Sequence, residues 1–369
     1  MSKRVLLMYI SEVSGHHSAS IAVENAIRKL APSATVRNIN AFNYTNPIWE
    51  RIINRAYMSV VKNTPELWDY LYDNPRVLRR TRKIRQLIHK GNTEKLKVLF
   101  EDFKPDIVAC TQAYPCGMVA DYKRTLGLDL PLVGILTDYA PHSYWIYDNV
   151  DAYVVPSRDT GEKLVRDGVL EEKIKVLGVP IDPKFRPVSD KRALASALGL
   201  NPDLKNILIM GGGQGLGDIK KYLLALDHVE QPLQILAVTG TNTRLLNWIQ
   251  KRHFRKPVKA FGYINFIEQL MGVADIIISK PGGVTTAEAL AKTLPMIIVN
   301  PLPGQEAMNT RFLLKEGIAL KAENERELAD LVDWLLANPG KLTQITHRIR
   351  EHAHPDAAER AAELILRLC

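Results

Sequence analysis

Residues 276–290, Ile-Ile-Ile-Ser-Lys-Pro-Gly-Gly-Val-Thr-Thr-Ala-Glu-Ala-Leu, have the types and spacing to hold an anion. The isoleucine run predicts a buried strand, and Pro281-Gly282-Gly283 cannot continue it. Thr285 or Thr286 can cap the helix that follows, with Glu288 near its first turn. A helix start offers unpaired backbone N–H groups and the positive end of the macrodipole, which suits a diphosphate. Without a ligand the same residues make an ordinary βα turn. A second candidate is Ser14-Gly15-His16-His17, which follows the apolar residues 5–10. A histidine at the carboxyl end of a strand sits where open α/β sheets bind ligands and can act as a general base; a surface or capping histidine is the alternative. Asp138, His142 and Trp145 follow another apolar run, at the same kind of edge. Gln305, Glu306 and Asn309 can hydrogen-bond a polyhydroxylated ligand, or simply cap a helix.

These residues need a frame, and the chain supplies alternating strand and helix signals. Residues 5–10, 35–39, 106–110, 132–137, 152–155 and 174–177 read as strands of one half. Residues 206–210, 234–238, 258–262, 276–278 and 296–300 read as strands of the other. The alternation predicts parallel α/β architecture. Pro180, Pro183 and the polar stretch to about residue 201 read as a linker. The domains expected are 1–185, 200–340, and C-terminal helices over 341–369 packing back on the first. Residues 42–90 form an insertion rich in aromatics, among them Trp49, Tyr57 and Trp68. It ends in a basic amphipathic helix over 76–90, with Arg79, Arg80 and Arg82 and no acid. Such a segment suits anionic lipid, or else is a solvated helix face.

Gly211-Gly212-Gly213-Gln214-Gly215-Leu216-Gly217 follows a strand and lets backbone approach a phosphate. It is not a Walker A loop, because Gly217-Asp218 replaces the Gly-Lys-Ser/Thr ending. It is not a dinucleotide site, because Thr239-Gly240 stands where an acid belongs.

Length and composition bound the rest. The 369 residues, 46% apolar and 24% charged, suit a soluble two-domain globular protein. No apolar run reaches the roughly 20 residues of a membrane span. The N-terminus is basic then apolar, but the run is too short and lacks a small-residue cleavage site, so it reads as the first strand. Three cysteines make no metal pattern and fit a reducing cytoplasm. A net charge of +9 points to nucleic acid, anionic lipid or an anionic small substrate. No nucleic-acid module or RNA-binding aromatic motif supports the first.

The motifs together resemble one family. Gly211 to Gly217, Phe261-Gly262-Tyr263, Ser279-Lys280-Pro281-Gly282-Gly283 and Pro303-Gly304-Gln305-Glu306 look like the monogalactosyldiacylglycerol synthase and processive diacylglycerol glucosyltransferase family. That family belongs with the bacterial muramyl-lipid N-acetylglucosaminyltransferases. Ser14-Gly15-His16, the aromatic–Pro–aromatic residues 57–74, Thr137-Asp138-Tyr139 with His142, and Gly178-Val179-Pro180-Ile181-Asp182-Pro183 extend the resemblance over nearly the whole chain. It implies a GT-B fold, two Rossmann-like domains with parallel sheets facing across a cleft. The first would hold a lipid acceptor, with diacylglycerol expected, and the second UDP-glucose or UDP-galactose as co-substrate. The reaction would invert the anomeric centre with no cofactor and no essential metal.

Carried over by position, Gly262 and Tyr263 would lie near the uracil. Gly282, Gly283 and Thr285 would take the diphosphate, with Gly213, Gln214 and Lys280 also on the donor side. Glu288 would reach the ribose, and Gly304, Gln305 and Glu306 the sugar. His16 would be the base, with Asp138 or His142 supporting or replacing it. Two departures stand out: Val13-Ser14 replaces an extra glycine of the family loop, and His17 could be the matching histidine instead. His16 is favoured because it follows Gly15 directly. Trp49, Tyr57, Trp68, Arg79, Arg80, Arg82 and Trp145 would face acceptor and membrane. The implied place is the cytoplasmic face of the cell membrane, as a peripheral protein. The rival readings are another lipid or hydrophobic metabolite as acceptor, and a non-catalytic nucleotide-sugar binder.

Overall fold

The computed structural model describes residues 2–12, 14–44, 93–213, 215 and 217–369. The expected insertion over 42–90, with Trp49, Tyr57, Trp68, Arg79, Arg80 and Arg82, and also Gln214, therefore lies almost wholly outside the described residues. The chain divides into two compact units: Met1–Pro183 with Pro303–Gln305 and Asp356–Cys369, and Lys184–Leu302 with Glu306–Pro355.

The first unit contains β1 (Arg4–Tyr9), α1 (Gly15–Leu30), β2 (Thr35–Asn40), α2 (Thr93–Phe103), β3 (Ile107–Cys110), α3 (Ala113–Leu126), β4 (Leu132–Ile135), β5 (Ala152–Val155), α4 (Arg158–Arg166) and β6 (Ile174–Val176). Its six strands run in the order β2-β1-β3-β4-β5-β6, and every pairing is parallel. β3, β4 and β5 are buried along their whole length, which explains their unbroken apolar runs: a parallel sheet is covered on both faces.

The second unit contains α5 (Lys191–Ala197), β7 (Lys205–Met210), α6 (Ile219–Leu226), β8 (Leu233–Val238), α7 (Thr243–Gln250), β9 (Val258–Phe261), α8 (Ile267–Val273), β10 (Ile276–Ser279), α9 (Gly283–Ala291), β11 (Met296–Ile298), α10 (Gln305–Lys315, its first residue grouped with the first unit), β12 (Ala319–Lys321), α11 (Glu325–Ala337) and α12 (Pro339–His352). Its sheet order is β12-β11-β10-β7-β8-β9, again all parallel. That is the Rossmann order, with the strand sequence reversing between β7 and β10. In the first unit the reversal falls between β1 and β3. Open α/β sheets bind ligands beyond the strand ends at such points.

The stretch read as a linker contains α5, capped by the Asp190 side chain, and Lys191 bonds the Asp275 carboxylate at 2.9 Å. Of the C-terminal helices expected to pack back on the first unit, α12 stays with the second, while α13 (Ala357–Leu368) returns to the first unit and packs on α1. Ala358, Ala361, Ala362 and Ile365 share one buried cluster with Ala22, Val23, Ala26 and Ile27. Small residues on both helices let the backbones approach closely.

Candidate functional site

In the second unit the reversal point carries the glycine loop after β7 and the Lys-Pro-Gly-Gly turn after β10. α9 starts three to four residues earlier than a cap at Thr285 or Thr286 predicts. Its cap is Gly282, in extended geometry (φ −62°, ψ 140°), with no side-chain cap. The reason is local: Pro281 ends the strand, and Gly282 already takes the extended conformation a cap needs. Thr285 and Thr286 therefore lie inside the helix, half-buried and buried respectively. The first N–H groups of any α-helix have no acceptor four residues back, and here the cap residue brings no side chain to them.

The turn is tied to α10. Buried Asn309 donates from Nδ2 to the Pro281 carbonyl at 3.0 Å. Lys280 Nζ lies 3.4 Å from Glu306 Oε1, and both side chains are largely buried. Glu306 Oε2 accepts from the Leu302 N–H at 2.7 Å. Glu306 thus ties the loop before α10 with one oxygen and turns the other to Lys280. Lys280 and Pro281 thus meet Glu306 and Asn309 within the second unit, although they are far apart in sequence. Gly304 precedes Gln305 in the left-handed region (φ 84°), which suits glycine.

The glycine loop is held against the turn after β8. Thr241 N–H donates to the Gly213 carbonyl at 2.9 Å. A Cβ on Gly215 would overlap the Thr239 carbonyl oxygen, and one on Gly240 would overlap that of Gly213. Backbone lies on backbone here, so these glycines have a packing reason independent of any phosphate. Gly262 is half-buried just past β9, and Tyr263 beside it is 72% exposed. Glu288 lies on α9, half-buried.

In the first unit Ser14 caps α1, its Oγ accepting the His17 N–H at 3.2 Å. His16 and His17 then diverge. His16 Nδ1 lies 3.0 Å from the Thr111 carbonyl and 2.9 Å from Thr137 Oγ1. Thr111 Oγ1 in turn donates to the His16 carbonyl at 2.9 Å. Thr111 is the first residue past β3 and Thr137 lies just past β4, so His16 is held across adjacent strand ends. A carbonyl can only accept, so this pairing assigns the proton to Nδ1 and leaves the lone pair on Nε2. Burial lowers the pKa of His16 below its ordinary 6.5, against the nearby Asp138 charge and the Thr111 carbonyl, which raise it.

His17 faces elsewhere. It stacks on Tyr9, with centroids 4.1 Å apart, and its Nδ1 lies 2.8 Å from the Glu12 carbonyl. Tyr9 donates to Glu12 Oε2 at 2.7 Å; burial and then that carboxylate push its pKa up to about 12. His142 is buried, its ring 5.6 Å from that of Tyr144. Half-buried Asp138 directly follows Thr137 in sequence. Trp145 is 5% exposed, within the first unit's core, and its carbonyl accepts from Tyr153 at 2.7 Å.

Sequence reasoning did not find Thr111 and Thr137 as the holders of His16. Each is a hydroxyl residue at the end of a strand near the reversal point, but only the strand order brings them to α1. Among the described residues no helix is long and apolar enough to cross a membrane.

Two family models match. Residues 16–181 match the monogalactosyldiacylglycerol (MGDG) synthase family, and residues 206–361 the glycosyltransferase family 28 C-terminal domain. The chain is 29% identical over 352 residues to the processive diacylglycerol beta-glucosyltransferase of Bacillus licheniformis, covering 95% of this chain and 91% of that one. It is 29% identical over 371 residues to the Bacillus subtilis protein of the same name, covering 99% and 95%. The fold is GT-B: the solved structure of MurG from Acinetobacter baumannii matches over 99% of both chains, with a TM-score of 0.66 at 17% identity.

Proposed function

We propose, from the premise that this chain belongs to the family of monogalactosyldiacylglycerol synthases and processive diacylglycerol glucosyltransferases, that it transfers glucose from UDP-glucose to diacylglycerol. Glucose is chosen because the two Bacillus relatives are named for glucosyl transfer; UDP-galactose is the rival donor. The observation that carries the reading is the glycine-capped start of α9 after β10, built like an anion site and braced by Asn309.

The acceptor hydroxyl attacks the anomeric carbon from the face opposite the diphosphate, so the new C–O bond forms with inversion. Its proton passes to Nε2 of His16, the nitrogen that the Thr111 carbonyl leaves bare. The bond to the diphosphate breaks, and UDP departs with the electron pair. Negative charge growing on the diphosphate meets the open N–H groups of α9 and its dipole. Lys280, next to that turn, adds a positive charge partly offset by Glu306. Gly262 and Tyr263 take the uracil, Glu288 the ribose, and Gln305 with Glu306 the sugar hydroxyls. Asp138 steadies the imidazolium that forms, consistent with its effect on His16.

Diacylglycerol does not leave the bilayer, so the protein works docked on the membrane, on an anionic cytoplasmic face suited to the basic residues 76–90. The deciding experiment offers radiolabelled UDP-glucose and UDP-galactose separately with diacylglycerol in detergent micelles. Label from UDP-glucose in extractable lipid is the expected result. Label only from UDP-galactose overturns the donor, and no lipid label from either overturns the activity.

A further inference from the structure

The basic excess of this chain has a second seat. From residue 231 to residue 267 the sequence contains no Asp or Glu, while Arg244, Lys251, Arg252, Arg255, Lys256 and Lys259 all fall within it. Residues 76–90 carry seven cations and no acid. The two stretches together exceed the net +9 of the whole chain, so everything outside them is net acidic. Positive charge is therefore segregated, not scattered.

The second stretch has a defined surface. It includes α7 and the loop that leads into β9, the edge strand of the second sheet. Arg244, Lys251, Arg252 and Arg255 are exposed, as is Lys220 on the neighbouring α6. Two half-buried aromatics lie among them, Trp248 and Phe254, edge to face with centroids 6.1 Å apart. Lys220 Nζ stands 5.2 Å from the Trp248 centroid and the Arg252 guanidinium 5.4 Å from it; Arg252 also lies 5.8 Å from Phe254. Asp218 and Asp227 stand at the ends of α6, and exposed Glu230 follows on the loop after it. The first pairs with Lys221 at 3.7 Å, and the second accepts the Lys256 N–H at 2.9 Å.

Aromatic rings carrying cations, in a patch without acids of its own, match the headgroup layer of a bilayer, where the ring sits at the apolar boundary and the cation meets lipid phosphate. A nucleic-acid platform would instead keep its aromatics bare for base stacking. We infer that the α6–α7 face of the second unit, centred on Trp248, docks on anionic lipid. This rests on the lipid-acceptor reading, but the surface is distinct from residues 76–90 and from the donor site. The nucleotide-binding unit then has its own hold on the membrane.

The test is flotation of the full chain with vesicles of phosphatidylcholine containing phosphatidylglycerol, at low salt. It uses a background in which Arg79, Arg80 and Arg82 are changed to Gln, so the first basic segment cannot mask the second. Adding Lys220→Gln, Lys251→Gln and Arg252→Gln is expected to lower binding about 100-fold, at roughly fivefold per cation. The charge-keeping set Lys220→Arg, Lys251→Arg and Arg252→Lys should retain binding. UDP binding should stay unchanged in both, and transfer to micellar diacylglycerol should equal that of the Arg79, Arg80 and Arg82 background alone, which shows that the unit is folded. Unchanged flotation in the Gln variant overturns the inference. So does displacement of wild-type protein from vesicles by a single-stranded RNA whose binding needs these three residues. Failed transfer by wild-type protein in micelles would instead count against the proposed activity.

Discussion

α1 and α9 each start just after a strand at the reversal point of a parallel sheet, yet their starts are built oppositely. α1 begins on Ser14, whose hydroxyl takes one of the free N–H groups, and it then projects His16 to the strand ends. α9 begins on Gly282, with no side chain over its N–H groups. On the proposed function, one helix start works through a side chain and can close its backbone, and the other works through the backbone and must leave it open. The residue at the cap decides which of the two a βα turn becomes.

The largest effect that would break this contrast is at His16. His16→Ala should lower sugar transfer about 1,000-fold while UDP titrates with unchanged affinity. His17→Ala should cost under about tenfold, because its ring is spent on Tyr9 and Glu12. Equal losses in initial rate for the two variants would refute the assignment of roles.

Next is Gly282→Asp, which closes the second start in the manner of the first. No atom lies within 4 Å of the Cβ position at Gly282, and its φ is ordinary, so the carboxylate fits. It should cap α9 and raise stability by about 0.5 kcal/mol in denaturant unfolding. It should also weaken UDP binding about 100-fold by calorimetry, since it takes the N–H groups and repels the diphosphate. Stability and affinity are expected to move in opposite directions. A joint rise would mean that the helix start holds no anion.

The smallest effect sharpens the first start. Thr137→Val keeps the shape and removes the hydroxyl 2.9 Å from His16 Nδ1; kcat should fall about tenfold, and Thr137→Ser should restore it. The pH profile gives the sign. A base must be neutral, so activity rises with pH through the His16 pKa, which lies below 6.5. Asp138→Asn removes an interaction that raises that pKa, so the acid limb should move to still lower pH. Burial also implies that, as pH falls from the unfolded value of 6.5 through the folded pKa, the unfolded chain takes up a proton that His16 declines. Stability should fall in that window. An acid limb that stays put in Asp138→Asn would separate the two residues.

The fold was legible because strands buried on both faces spell out their apolar runs, as Ile276, Ile277 and Ile278 do. The turn from strand to helix was legible from Pro281 and the glycines, but its cap falls on Gly282, whose extended backbone already suits one, and not on Thr285 or Thr286. Sequence favours His16 over His17 only by its place after Gly15. The different surroundings of the two rings depend on Thr111 and Thr137, which meet α1 only because β1, β3 and β4 lie in that order. Sequence offers Asn309 as a ligand contact or a helix cap, and does not show its bond to the Pro281 carbonyl, which braces the turn.

The return of α13 onto α1 bears on how the chain is made. The buried cluster that supports the His16 helix includes Ala358, Ala361, Ala362 and Ile365, yet the whole second unit is encoded between β6 and those residues. On the ribosome the nucleotide-binding unit can finish folding first. The first unit, though begun earlier, waits with an apolar helix face uncovered until α13 emerges. The helix that carries His16 is thus covered late in synthesis, after the second unit is complete.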